Sequence, residues 1–314
     1  MQVDLWIWVA LVAFVLAMLA FDLFVFHRDA HVVSIREAGI STALWVTLGL
    51  GFGVIVWAWQ GSSQASAYYA GYLVEYALSV DNVFVFALIF TYFAVPEKYQ
   101  HRVLFWGVVG AIVMRAAFIA AGAALLEAFH VVIYVFGVFL VATAIRMARQ
   151  HGHTIDVAQN PVMRLLRRVM PVSDTYHDQR FFIRHGSKLV ATPLFAALVA
   201  VETSDVIFAI DSIPAIFAIT TDTFIVFASN AFAILGLRAL YFLLAGSMRK
   251  FAYLQVGLAG ILGFVGIKML LTDLYKIPIG LSLAVIVAIL GTAIGASIVK
   301  DRRSSQPPIT AEGA

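Results

Sequence analysis

ETSDVIFAIDSIP, Glu202 to Pro214, places three carboxylates inside an apolar run that extends from Leu189 to Thr221. A second stretch, EYALSVDN from Glu75 to Asn82, places two more inside the run Tyr68 to Val95. Acids in such runs belong either to a soluble core or to a membrane. Of the 314 residues, 62% are hydrophobic and 12% charged, against roughly 45–50% and 25% in soluble domains. A soluble fold has too little interior for that composition, whereas a hydrocarbon layer about 30 Å thick accepts it in runs of about 20 residues. The acids then lie in lipid, where an ionised side chain costs about 2.5–3.5 kcal/mol and marks function by default.

Outward from these two stretches, apolar runs give nine spans, approximately Leu5 to Phe26, Ile40 to Trp59, Tyr68 to Val95, Val103 to Leu126, Ala128 to Ile145, Leu189 to Thr221, Thr223 to Met248, Phe251 to Thr272, and Ile277 to Val299. The predicted fold is an all-α polytopic membrane protein. The first run has no basic leader and is followed by His27 and Arg28, so it reads as a retained span rather than a cleaved signal. Lys and Arg fall in alternate loops: Arg28 and Arg36, Lys98 and Arg102, Arg249 and Lys250, and Lys300, Arg302 and Arg303. The connection after span 5 adds Arg146, Arg149, Arg164, Arg167, Arg168, Arg180, Arg184 and Lys188, while the opposite loops hold only Lys276. The positive-inside rule therefore puts the N-terminus outside and the C-terminus in the cytoplasm.

The polar segment 149–188 contains VMRLLRRVM between Pro161 and Pro171. Two readings fit it: a short basic helix on the anionic cytoplasmic leaflet, or a solvated linker. His151 and His153 lack a third ligand nearby and read as loop residues, and Ser304 to Ala314 reads as a disordered tail. The chain has no cysteine, which removes disulfides, thiolate metal sites and cysteine nucleophiles. Its basic residues report orientation, so nucleic acid is not an expected partner.

The chain also resembles itself. Asp81 and Asp205 open DNVFVFA and DVIFAID at an offset of 124, Arg115 and Arg238 lie in AIVMRAAF and AILGLRAL at 123, and Arg146 and Lys268 lie in ATAIRMA and FVGIKML at 122. Each copy has three spans, so the second enters from the opposite face, the inverted-repeat plan of many secondary transporters with sites near the midplane. The expected organisation is 1–66 with spans 1 and 2, 67–148 as repeat 1 (spans 3–5), 149–188 as a cytoplasmic basic loop, 189–275 as repeat 2 (spans 6–8), 276–300 as span 9, and 301–314 as the tail. Gly257, Gly260, Gly263 and Gly266, and Gly291 with Gly295, read as close helix contacts.

Asp22, Glu75, Asp81, Glu202, Asp205 and Asp211 stand against Arg115, Arg238 and Lys268 within spans, so internal pairing leaves a surplus of acids. On a helix Glu75, Ser79 and Asn82 share one face, as do Glu202 and Asp205, whereas Asp81 and Asp211 fall elsewhere unless the helix breaks. Pro214 frees the carbonyl of Ile210, and the length of the run favours a kink or interruption there. Carboxylates, an amide and hydroxyls are hard donors suited to Mg²⁺, Ca²⁺ or Mn²⁺, and with His130 only at an outer edge zinc and copper are disfavoured. The competing reading makes Asp81–Arg115 and Asp205–Arg238 structural ion pairs, with Asp22 reaching interfacial water. Asp273, Glu127 and Asp222 lie at span boundaries and read as solvated.

At EYALSVDNVFVF, Glu75 to Phe86, ETSDVIFAIDSIPAIFA, Glu202 to Ala218, and FDLFVFHR in span 1, the chain resembles the TerC family of integral membrane proteins, including its Alx-type members. The resemblance implies manganese efflux across the bacterial inner membrane, a link to tellurite resistance, and a place among exporters that include lysine exporters. By matching position it implies that Glu75, Asp81, Asn82, Glu202, Asp205, Asp211 and Ser212 handle the ion, with Asp22 as an addition. The expected protein is thus a transporter and not an enzyme, with no prosthetic group, exchanging Mn²⁺ for protons. Export of an organic solute such as an amino acid and a non-transporting role in envelope-protein assembly are the alternatives. An intramembrane aspartyl protease lacks its GxGD signature.

Overall fold

Helix ends in this chain are set by punctuation that the apolar runs do not show. In the computed structural model, which describes residues 3–22, 33–149, 161–173, 175–185, 188–244 and 253–304, α1 (Leu5–Phe21) is followed by α2 (Ile35–Gln60). A capping box starts α2: Ser34 accepts from the Glu37 amide while the Glu37 carboxylate accepts from the Ser34 amide. Gly61, at φ 89°, ends α2 and turns the chain directly into α3 (Ser62–Tyr92), a backbone state that glycine adopts without strain. After Pro96 comes α4 (Glu97–Ala128), then α5 (Val132–Arg149), α6 (Pro161–Val169), the antiparallel strands β1 (Phe182–His185) and β2 (Lys188–Ala191), and α7 (Pro193–Phe217). Asp222 caps α8 (Thr223–Leu235) by accepting from the Phe224 and Ile225 amides. Then follow α9 (Leu237–Leu244), α10 (Leu254–Leu270) and α11 (Ile279–Ser304).

Among the described residues seven segments are long and apolar enough to cross a membrane: α2, α3, α4, α5, α7, α8 with α9, and α11; α1 and α10 are shorter apolar helices. At the centre α3 and α4 each pack on both α7 and α8, α5 packs along α10, and α11 backs α10 and α3. Large apolar residues of α1, α2, α5 and α11 face outward, as lipid-facing helices require.

Four expectations about this layout are corrected. First, the run from Leu189 is long because Leu189 to Ala191 form β2; the helix begins at Pro193, where a missing N–H costs nothing. It continues unbroken through Pro214, which sits in its last turn. Second, the interruption expected near Pro214 falls instead at Gly236, between α8 and α9, two residues before Arg238. Third, segment 149–188 is not a plain loop, since α6 and β1 form there; Leu166, Val172, Tyr176 and Phe181 pack against the bundle, which replaces the solvated-linker reading over these residues. Tyr176 donates to the Phe93 carbonyl at 2.7 Å, and burial pushes its phenol up to about 12. Fourth, Gly291 and Gly295 meet nothing within 4 Å, whereas Gly257, Gly260, Gly263 and Gly266 do pack α10 against α5 and α11. His27, Arg28, His151, His153, Arg249, Lys250 and the tail beyond 304 lie outside the described residues.

The α2–α3 contact depends on missing side chains. Tyr69 and Tyr72 of α3 fill the spaces above Gly53 and Gly49 of α2, while Tyr68 and Tyr69 donate to the carbonyls of Gly49 and Leu50 at 2.8 Å. An added Cβ at Gly49 would lie 2.6 Å from the Tyr72 ring. Gly49→Ala is therefore expected to lower stability by about 1–3 kcal/mol, the usual cost of overpacking. Thermal unfolding in detergent checks this, with Gly51→Ala, where nothing lies within 4 Å, as the neutral control.

Candidate cation site

Two apolar clusters divide the bundle along its length. On α3 the first ends at Leu78 and the second begins at Val83; on α7 the second ends at Val201 and the first resumes at Ala209. The gap between them holds Ser79, Asp81 and Asn82 on α3 and Glu202 and Asp205 on α7, with Glu75 one turn before it on α3. Helical spacing puts Glu75, Ser79 and Asn82 on one face of α3, and all three are buried, at 0%, 0% and 1% exposure.

Arg115, on α4 and 1% exposed, draws four helices together. Its Nε and Nη2 donate to the two carboxylate oxygens of Asp205 on α7, at 3.4 and 3.2 Å. Its Nη1 donates to Glu75 of α3, to Ser212 of α7 at 3.1 Å, and to the Asn230 amide oxygen of α8 at 2.7 Å. A fork of guanidinium donors matches carboxylates in this bidentate way, which an ammonium does not. Glu75 meets Arg115 through Oε1, and its Oε2 is a buried oxygen without a hydrogen-bond partner, as are Ser79 Oγ and Asn82 Oδ1. Three unsatisfied acceptors on one helix face are costly unless another group completes them.

Glu202 lies one turn from Asp205 on α7. Its carboxylate occupies the space that a Cβ at Gly110 of α4 would take, and no ion pair or hydrogen bond joins it to another described side chain. Gly110 thus acts as a notch that admits a carboxylate between α4 and α7.

The remaining expected residues go elsewhere. Asp22, 5% exposed, does not reach water: it ion-pairs with Arg238, which is also buried. Arg238 Nη1 lies 2.6 Å from His101 Nε2 on α4, and because a guanidinium only donates, the imidazole is the acceptor. The pairs of the competing structural reading, Asp81–Arg115 and Asp205–Arg238, are both replaced: Arg115 takes Glu75 and Asp205, and Arg238 takes Asp22. Asp81 is half-buried on another face of α3, with no partner among the described side chains. Asp211 accepts from Thr143 of α5 at 3.3 Å. Lys268 is buried on α10. At the span ends Asp222 caps α8, and Asp273 accepts from Tyr134 and lies 3.6 Å from His130. Among the described residues no three His, Asp or Glu side chains stand in a ready-made metal cluster.

Three participants were missed in the sequence. Asn230 had a signal, an amide inside the apolar run FASNAF, but it carries no charge to mark it. Gly110 and His101 had none, since only the packing shows what they face.

A family model described as "Integral membrane protein TerC family" matches residues 60–305. The chain is 50% identical over 298 residues to an "Uncharacterized membrane protein STKORF319" of Myxococcus xanthus, covering 95% of this chain and 93% of that one. It is 47% identical over 293 residues to the "Putative membrane-bound redox modulator Alx" of Escherichia coli strain K12, covering 90% and 91%. An "Uncharacterized membrane protein" of Rickettsia bellii is 38% identical over 293 residues, covering 93% and 97%. No solved structure matches the chain.

Proposed function

We propose, for a chain that belongs to the TerC family of integral membrane proteins, that it is a secondary carrier exporting a small hard divalent cation, Mn²⁺ foremost, from the bacterial cytoplasm in exchange for protons. The observation that carries this reading is the set of unsatisfied oxygens, Glu75 Oε2, Ser79 Oγ and Asn82 Oδ1, in a polar layer that also holds Glu202. Oxygens of this kind suit Mn²⁺, Mg²⁺ or Ca²⁺. Export against an inside-negative potential costs about 2.3 kcal/mol per charge per 100 mV, so it needs a coupling ion. Carboxylates that exchange metal for protons provide one.

A nine-crossing topology, N-terminus outside and C-terminus inside, fits the nine apolar segments and the basic loops. The inverted-repeat reading is supported by the pairing: exchanging α3 to α5 with α7 to α10 turns the α3–α8 contact into α7–α4 and leaves α5–α10 in place. Gly137 and Gly266 likewise each face the other's carbonyl, at 3.1 and 2.9 Å from their would-be Cβ positions.

Amino-acid export is disfavoured because Arg115, which would meet the substrate carboxylate, already spends its donors on Asp205, Glu75, Ser212 and Asn230. A redox role, suggested by the name of the Escherichia coli relative, would not run through thiols of this chain, which has none.

The test is uptake of Mn²⁺, Mg²⁺, Ca²⁺ and lysine by proteoliposomes carrying a pH-sensitive dye, together with manganese tolerance of cells. Asp205→Ala is expected to lose more than tenfold in Mn²⁺ flux and to leave cells manganese-sensitive. Full protection by that variant shows the site assignment to be wrong. Asp81→Ala is expected to impair export too, as a step along α3; unchanged flux confines the site to the Glu75 layer. Wild-type protein moving lysine but no metal refutes the cation reading.

A further inference from the structure

We infer that α6 and the β1–β2 hairpin form a docking surface for the anionic cytoplasmic leaflet: Leu165, Val169, Phe182 and Leu189 enter the boundary between headgroups and acyl chains, and Arg164, Arg168 and Arg184 hold lipid phosphates. This goes beyond the carrier reading and holds whatever the cargo is. It takes from that reading only the orientation, with the basic loops inside.

One side of this segment is fixed to the bundle. Leu166, Val172, Tyr176 and Phe181 pack on the second apolar cluster. Arg102 of α4 donates to Gln179 at 3.2 Å and lies over the Phe181 ring, 5.1 Å from its centroid. The other side is apolar yet uncovered: Leu165, Val169, Phe182 and Leu189 are 39–74% exposed. On α6 each residue turns by roughly 100°, so Leu165 and Val169 form one strip, with Leu166 facing the bundle on one side of it and Arg164 and Arg168 on the other. In the hairpin Arg184 pairs with Leu189, and Phe182, two residues from Arg184, shares their exposed face. Ile183 and Val190, half-buried, take the opposite face.

Water is a poor partner for four large apolar side chains set beside arginines, and the position of the segment names a better one. Only Thr192 separates β2 from α7. The 25 residues of α7 extend about 37 Å against a hydrocarbon core of about 30 Å, so its first turn lies among headgroups. Leu189 is four residues before Pro193 and stays within about 14 Å of it. Phe182 is held at the same level, since its ring meets that of Phe195, in the first turn of α7, with centroids 4.4 Å apart. α6 packs on α7 as well. The exposed strip thus continues the lipid-facing surface at the depth where amphipathic helices lie. Charge agrees with this placement: the acids of residues 161–191 are Asp174 and Asp178, both in the connection between α6 and β1, so α6 and the hairpin carry only basic groups. A soluble acidic protein would satisfy the arginines, whereas a leaflet satisfies them and the apolar strip together.

The experiment exploits the absence of cysteine from the chain. Val169→Cys, and separately Leu189→Cys, is labelled in the full chain with an environment-sensitive fluorophore and reconstituted in vesicles of phosphatidylcholine and phosphatidylglycerol, one of the two lipids brominated on its acyl chains. The label is expected to be quenched about fivefold more strongly by brominated phosphatidylglycerol than by brominated phosphatidylcholine at equal mole fraction, the factor for about 1 kcal/mol of attraction between an arginine and an anionic leaflet. Arg168→Gln with Arg184→Gln is expected to remove that preference and to leave the melting temperature in detergent unchanged, because both side chains are exposed. Labels that neither brominated lipid quenches, and that a water-soluble quencher reaches, overturn the inference. Self-quenching between labelled copies overturns it in favour of a contact between two chains. Equal quenching by the two lipids, or a preference that survives the arginine changes, overturns the recognition of lipid charge. Every arm is read without metal, so the outcome is independent of the transport measurements.

Discussion

Replacing Arg115 with methionine is expected to destabilise this protein by about 3–5 kcal/mol, the range seen when one partner of a buried ion pair is removed and the other is left uncompensated. Arg115 is 1% exposed and holds Glu75 at 0% and Asp205 at 2%. Without it, two carboxylates remain in an interior that water does not reach, and α3, α4, α7 and α8 lose their shared hydrogen-bonding group. Because the cost is electrostatic rather than one of volume, removing the charges should undo it. Adding Glu75→Gln and Asp205→Asn to Arg115→Met is expected to recover most of the stability while leaving transport abolished. Thermal unfolding in detergent checks the first result and flux in proteoliposomes the second. If the triple variant is no more stable than the single one, the cluster is held by packing and the electrostatic account fails.

The second large effect is expected at Asp22. Alanine there leaves Arg238 buried without its carboxylate, beside the imidazole of His101, again at a cost of about 3–5 kcal/mol. The residue lies at the end of α1, a helix whose other anchors are apolar contacts such as Trp8 against Phe224 and Phe227. Loss of the ion pair should therefore show as faster hydrogen exchange along α1 before the bundle unfolds. Pairing Asp22→Ala with Arg238→Met should restore much of the loss, and the interaction energy from that double-mutant cycle measures the pair itself. An additive cycle, with no coupling between the two sites, contradicts the assigned ion pair.

How far the candidate site could be read in advance depended on the kind of evidence each residue offered. Glu75, Ser79 and Asn82 were legible as a set because helical spacing alone puts them on one face, and the same spacing correctly set Asp81 and Asp211 apart. Glu202 and Asp205 were legible for the same reason. Partners were not legible. The competing structural reading paired Asp81 with Arg115 and Asp205 with Arg238, but Arg115 takes Glu75 from α3 and Asp205 from α7, and Arg238 takes Asp22 from α1. Pro214 was a plausible place for a break, but in the last turn of α7 its missing donor disturbs little. The interruption came at Gly236, where nothing local distinguishes it from the glycines that pack inside α10.

The amino-acid sequence alone determined that the chain lives in a membrane, where its apolar helices lie, and which buried side chains need a reason to be there. These are one-dimensional properties: hydrophobic free energy sums along a run, and a helix turns residue number into direction. Tertiary structure alone decided which acid meets which base, that Gly110 makes room for Glu202, and that three oxygens on α3 are left without partners. Those facts depend on distances between segments far apart in the chain. Electrostatic energy and hydrogen bonding fall off within a few ångströms, so ion partners are chosen by how the helices pack and not by their order.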